Sequence, residues 1–193
     1  MSIDFNNAER QSTGSGDPIP EGAVAPVIFN LREIKTGKSG AQGLDVEYTV
    51  TAGPFKGRKA WSWIGIAGND SEGHKTMVRI SHSNIRAMLE SAYGIEPADD
   101  KPAAMEARRI NDWEDLNGLE FVARFSIEKG TDYTDQRTGE TKQGKAKNTL
   151  RAVTPDDEDY RGFTPAKKGK AAPAKAVGTA QPVQAGGNRP AWA

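Results

Sequence analysis

The sequence predicts an all-β domain with one main helix, placed between two disordered tails. Apolar and polar residues alternate in several short stretches, one later stretch has helical spacing, and both ends lack a core pattern. The 193 residues are 36% hydrophobic and include 21 Gly and 11 Pro. We expect a disordered arm over residues 1–18, a folded domain over 19–155 and a disordered Ala-, Pro- and Lys-rich tail over 156–193.

Five strands are predicted from period-two alternation. The first runs from Val24 to Lys35. The second is the clearest, since Leu44, Val46, Tyr48 and Val50 alternate with polar residues. After a turn at Gly53-Pro54-Phe55-Lys56-Gly57, the third strand runs from Arg58 to Ile66. The remaining two strands cover residues 121–127 and 148–153.

One amphipathic helix is predicted between the third and fourth strands. Its apolar positions are Ile85, Met88, Leu89, Ala92 and Tyr93. Ser81 or Ser83 is the expected N-cap, and Gly94 the expected end. The preceding residues 67–73 are expected to form a loop, and a short second helix is predicted over residues 103–110.

The predicted order is three strands, one helix and two further strands, which is the connectivity of an OB-fold. That fold is a five-stranded Greek-key barrel that binds oligonucleotides or oligosaccharides on strands two and three and on the adjoining loops. A five- or six-stranded sandwich, in which the helix is only a connection, is the alternative architecture.

Several function classes are disfavoured by composition. The chain contains no Cys and only two His, His74 and His82, so thiolate chemistry and histidine-rich metal sites are excluded. We expect no enzymatic activity and no cofactor. A metal-dependent nuclease built on acids such as Asp112, Glu114 and Asp115 is a weaker alternative, because they lie in a polar connection. No signal peptide or membrane span is expected, which indicates a cytoplasmic protein.

Charge is unevenly distributed although Lys+Arg and Asp+Glu both total 26. Residues 23–95 carry nine basic and six acidic side chains, and residues 121–155 carry seven and four. Both strand-bearing segments are therefore basic, as a phosphate-binding surface requires.

A DNA-binding surface is predicted where basic and aromatic residues coincide, because bases stack on aromatic rings while cations neutralise phosphates. Tyr48 is expected in the core. The sequence does not decide which face of the third strand carries Trp61 and Trp63. If Ile64 and Ile66 are core, both tryptophans point to the binding groove of the predicted barrel. The candidate residues are Lys35, Lys38, Phe55, Lys56, Arg58, Lys59, Trp61, Trp63, Tyr133, Arg137, Lys142, Lys145 and Lys147.

A series of short motifs carries a family resemblance over roughly residues 19–153. They are Pro20-Glu21-Gly22, Lys38-Ser39-Gly40, residues 44–50, Gly53 to Arg58, Leu116 to Phe121, Tyr133-Thr134-Asp135 and Asn148. With these motifs the chain resembles phage early proteins formerly classed as a domain of unknown function, which are similar to single-stranded DNA-binding OB-fold proteins. The resemblance implies protection of single strands during replication or recombination, in a host cytoplasm, with phage recombinase or replication proteins as partners.

The expected function is therefore single-stranded DNA binding with little sequence preference. A protein-protein adaptor or virion component on the same barrel is the alternative of a different class. The oligomeric state is left open, and a homodimer is compatible with the sequence. One departure from many single-strand binders is the basic tail, where they carry an acidic one.

Overall fold

A five-stranded antiparallel sheet forms the centre of the protein in its computed structural model. The structure describes residues 17–134, 137, 139–160 and 162–165. Most of the predicted arm (1–16) and most of the predicted tail (166–193) lie outside the described residues. The strands of the sheet are β1 (Val24–Thr36), β2 (Gln42–Val50), β3 (Lys59–Ala67), β4 (Glu120–Glu128) and β7 (Lys147–Ala152).

The strand order in the sheet is β3-β2-β1-β4-β7. β1 is long enough to pair along β2 and also, through Val24 to Ile28, with β4. The two edge strands β3 and β7 approach each other. No backbone ladder joins them among the described residues, so the sheet is not closed into a barrel. The predicted five strands and the position of the helix are confirmed, but a closed barrel is not observed.

The loop between β4 and β7 contains a second, two-stranded sheet. Its strands are β5 (Tyr133–Thr134) and β6 (Thr141–Lys142), and they pair with each other. No strand was predicted between residues 127 and 148.

The main helix α1 spans Glu72–Tyr93, and the prediction of its start was wrong. Ser71 is the N-cap, since its hydroxyl accepts a hydrogen bond from the His74 N–H at 3.3 Å. The first two turns are largely exposed, so they carry no core periodicity that the sequence could reveal. The end at Gly94 is confirmed, with φ +65° in the left-handed region. A short helix α2 follows at Pro102–Ala107.

The core lies between the inner face of the sheet and α1. Phe29, Tyr48 and Phe121 are at most 2% exposed and meet edge to face, with ring centroids 5.7 and 6.0 Å apart. From α1 the apolar residues Ile85, Met88, Leu89 and Ala92 are buried against them. The expected burial of Tyr48 is confirmed.

Both ends of the described chain are attached to this core. Ile19 is 1% exposed, and Asn148 of β7 bonds to its backbone twice: Oδ1 accepts from the N–H at 2.7 Å, and Nδ2 donates to the carbonyl at 2.8 Å. At the other end Tyr160 donates its hydroxyl to the Ser91 carbonyl at 2.5 Å. Packing therefore continues past residue 155, where the sequence placed the end of the domain.

Candidate nucleic-acid interface

The outer face of the sheet carries two exposed tryptophans on β3. Trp61 is 53% exposed and Trp63 is 41% exposed, whereas Ala60 and Ile64, which flank the pair, are buried. Alternation along the strand therefore places both indoles in solvent and Ile64 in the core. This decides the question of orientation that the sequence left open.

Each indole lies against a neighbour on β2. The Trp61 Nε1–H donates to Glu47 Oε2 at 3.2 Å. Trp63 covers Gly43 instead: a Cβ at Gly43 would lie 2.2 Å from Cε2 of that ring. Only a residue without a side chain permits this close approach, so Gly43 shapes the position of the indole.

The loop between β1 and β2 adjoins the same surface. A Cβ at Gly37 would lie 4.0 Å from Cζ2 of Trp63, so this loop approaches the indole. Lys38 is the next residue and is exposed. The structure thus brings the loop that carries Lys38 close to Trp63.

Two lysines of the predicted site are paired with carboxylates on β2. Lys59 Nζ lies 2.8 Å from Glu47 Oε1, and Lys35 Nζ lies 2.7 Å from Asp45 Oδ2. The hydrogen bond from Lys59 is the main reason that the pKa of Glu47 is lowered. The hydrogen bond to Asp45 is the main reason that the pKa of Lys35 is raised. Two of the predicted phosphate-binding lysines are therefore held by carboxylates in the free protein.

The remaining candidates are spread more widely. Phe55 is half-buried and packs against the core, while Lys56 beside it is exposed. Arg58 donates Nη2 to the Asp17 carbonyl. Lys147 lies 3.3 Å from Glu128. Arg137 and Lys145 are exposed, whereas the side chains of Tyr133 and Lys142 lie outside the description.

Asp45, Glu47 and Gly43 were absent from the predicted site. The signal for them was present, because the strand that places Tyr48 inward must place these three residues outward. A sequence search for cations and aromatic rings did not consider which acids share their face.

The acids weighed as magnesium ligands cap a turn. Asp112 and Asp115 form a capping box at the 3₁₀ helix Trp113–Leu116, where the Asp115 carboxylate accepts from the N–H of Asn111 at 2.8 Å. Among the described residues, no group of three or more His, Asp or Glu side chains is placed to hold a metal ion.

A separate cleft of about 540 Å³ lies between α1 and the segment after β3. Its lining includes His74, Lys75, Arg79 and His82 together with Asp70. Both histidines lie on α1. The His74 ring is fixed by Asn69, whose N–H donates to Nδ1 at 3.0 Å.

Comparisons with known proteins add no assignment. No family model and no curated protein sequence matches the chain. In the part of the chain that the structure describes, no helix is both long and apolar enough to cross a membrane.

Proposed function

We propose that the protein is a non-enzymatic single-stranded DNA-binding protein whose contact surface is the outer face of β2 and β3. The observation that carries this proposal is the exposure of Trp61 and Trp63 at successive outward positions of β3. Ala60 and Ile64 on the inner face of the same strand are buried in the core, and neither indole belongs to that core. A solvent-exposed pair of indoles suits the stacking of unpaired bases.

The topology supports the proposal through its likeness to an OB-fold. The strand order and the helix between β3 and β4 match that fold, and OB-folds bind oligonucleotides on strands two and three. We interpret the unpaired approach of β3 and β7 as a partly open form of the same barrel.

Electrostatics supply the second component of the proposed binding. Lys38 and Lys56 are exposed at opposite ends of the β2–β3 surface, where a phosphate backbone crossing the indoles would meet them. Lys35 and Lys59 would have to exchange their carboxylate partners for phosphate. Such exposed pairs contribute little stability, so the exchange costs little.

The family resemblance supports a role for this activity in phage replication or recombination. On that basis the protein protects single strands in the host cytoplasm and hands them to a phage recombinase or replication protein. This biological setting rests on the short sequence motifs alone.

Fluorescence anisotropy with labelled single-stranded and duplex DNA, with and without Mg²⁺, tests the proposal. We expect selective binding of the single strand, without cleavage, and a log–log salt slope near −0.7 per contact for about four to six contacts. Cleavage that requires Mg²⁺ would favour the nuclease, and absence of any binding would favour the adaptor.

A further inference from the structure

The outward residues of β2 are Gly43, Asp45 and Glu47, and all three lie beside the two exposed indoles of β3. Gly43 lies beneath the Trp63 indole, Asp45 is the cross-strand partner of Trp63, and Glu47 is the cross-strand partner of Trp61 and accepts its Nε1–H. Alternate residues of a strand are about 6.6 Å apart, so Asp45 lies within a side chain's reach of both stacking surfaces.

Both carboxylates keep unused acceptor capacity. Asp45 uses Oδ2 for Lys35, and no described group donates to its Oδ1. Glu47 binds one donor at each oxygen, and each oxygen has a second lone pair. Their side chains are 26% and 19% exposed, so they are held by neighbours yet open to a ligand.

The carboxylates of Asp45 and Glu47 can distinguish the bases by their hydrogen-bond donors. A carboxylate accepts hydrogen bonds and donates none. Cytosine N4, adenine N6 and guanine N2 are amino donors, whereas thymine presents the acceptor O4 at the corresponding edge. Thymine has one ring donor, N3–H. It lies between two carbonyl oxygens, and their partial negative charges repel a carboxylate.

We propose that Asp45 and Glu47 read the edges of bases stacked on Trp61 and Trp63 and select bases that carry amino groups. This inference rests on the proposed function and replaces the expected lack of sequence preference with a bias against thymine. Recognition of this kind suits unstacked single strands, whose Watson–Crick edges are accessible.

Competition between oligo(dC), oligo(dA) and oligo(dT) of equal length tests the inference with the full chain. We expect oligo(dC) to bind about tenfold more tightly than oligo(dT). Oligo(dA) should also bind more tightly than oligo(dT). Asp45→Asn and Glu47→Gln should bring this ratio towards one, because an amide can also donate to thymine O4.

Glu33→Gln is the matched control. It removes one negative charge from β1, where Glu33 lies 3.8 Å from Lys35. It should raise the affinity for all three strands slightly and leave their ratios unchanged. Thermal melts of the three variants should be equal to that of the wild type within a few degrees.

The outcomes separate the inference from the proposed function. Equal affinity for the three strands, or a preference for oligo(dT), overturns base reading while single-strand binding stands. A dC preference that survives in both carboxylate variants also overturns it. Absence of binding to every strand overturns both proposals.

Discussion

The two faces of β2 and β3 differ in what their aromatic side chains contact. On the inner face, Tyr48 is 2% exposed and packs edge to face between Phe29 and Phe121. On the outer face, Trp61 and Trp63 are about half exposed and rest on a carboxylate and on a glycine. The two faces of the same pair of strands therefore have separate roles, with stability depending on the inner face and the proposed binding on the outer face.

Removal of an inner aromatic ring should have the largest effect. Phe121→Ala is expected to lower the free energy of unfolding by about 3–5 kcal/mol, because it removes buried area and leaves a cavity. Urea denaturation measures this change. DNA affinity measured well below the melting temperature should stay near the wild-type value, and a stable Phe121→Ala protein would contradict the assignment of the core.

Alkaline pH should lower the free energy of unfolding through Tyr48 on the same inner face. Burial raises the pKa of Tyr48 to about 12, well above its ordinary value near 10. Because the unfolded chain ionises first, stability present below pH 10 should fall by about 3 kcal/mol as pH rises to 12. Denaturant midpoints of wild type and Tyr48→Phe across this range test the assignment, and parallel curves for the two proteins would refute it.

Truncation of the outer tryptophans should affect binding and spare folding. Trp61→Ala and Trp63→Ala are each expected to weaken single-strand binding by about 1–3 kcal/mol, with little change in denaturant midpoint. In a background with Trp113 and Trp192 replaced by Phe, DNA should quench the fluorescence of Trp61 and Trp63, and each Ala variant should keep only the quenching of the remaining indole. Unchanged affinity in stable variants would remove both residues from the site.

Gly43→Ala should have the smallest effect and the most specific one. The new Cβ forces the Trp63 indole off β2, and the half-exposed ring can move without disturbing the core. We expect an affinity loss smaller than that of Trp63→Ala and almost no loss of stability. Gly73→Ala on α1 is the control, since nothing lies within 4 Å of its added Cβ. Because Gly73 is the second residue of α1, this substitution should change stability little and leave the DNA affinity unchanged.

Sequence patterns predicted the elements that touch the core and missed those that do not. Alternation in residues 44–50 predicted β2 because Val46 and Tyr48 must face inward. The first turns of α1 have mostly exposed side chains, so the predicted cap was placed at Ser81 or Ser83 instead of Ser71. The sequence Asn69-Asp70-Ser71-Glu72 did contain a usable signal, a capping hydroxyl followed by an acid in the first turn.

The candidate site was predictable in composition and not in arrangement. Residue types alone identified Trp61, Trp63 and the lysines. Which face they occupy depends on the strand register, and the pairing of Lys35 with Asp45 depends on the alignment of β1 and β2. Such cross-strand partners are set by tertiary structure and leave no periodic trace in the sequence.

The bond between Asn148 and Ile19 links residues 129 positions apart. During synthesis on a ribosome, β1, β2 and β3 emerge long before β7. The sheet therefore lacks its last strand, and Ile19 lacks its hydrogen bonds to Asn148, until synthesis has passed residue 148. Contacts of such high sequence separation slow folding towards the millisecond-to-second range. The attachment of Ile19 therefore cannot form until residue 148 has been synthesised, and a chain that ends before β7 lacks both of these hydrogen bonds.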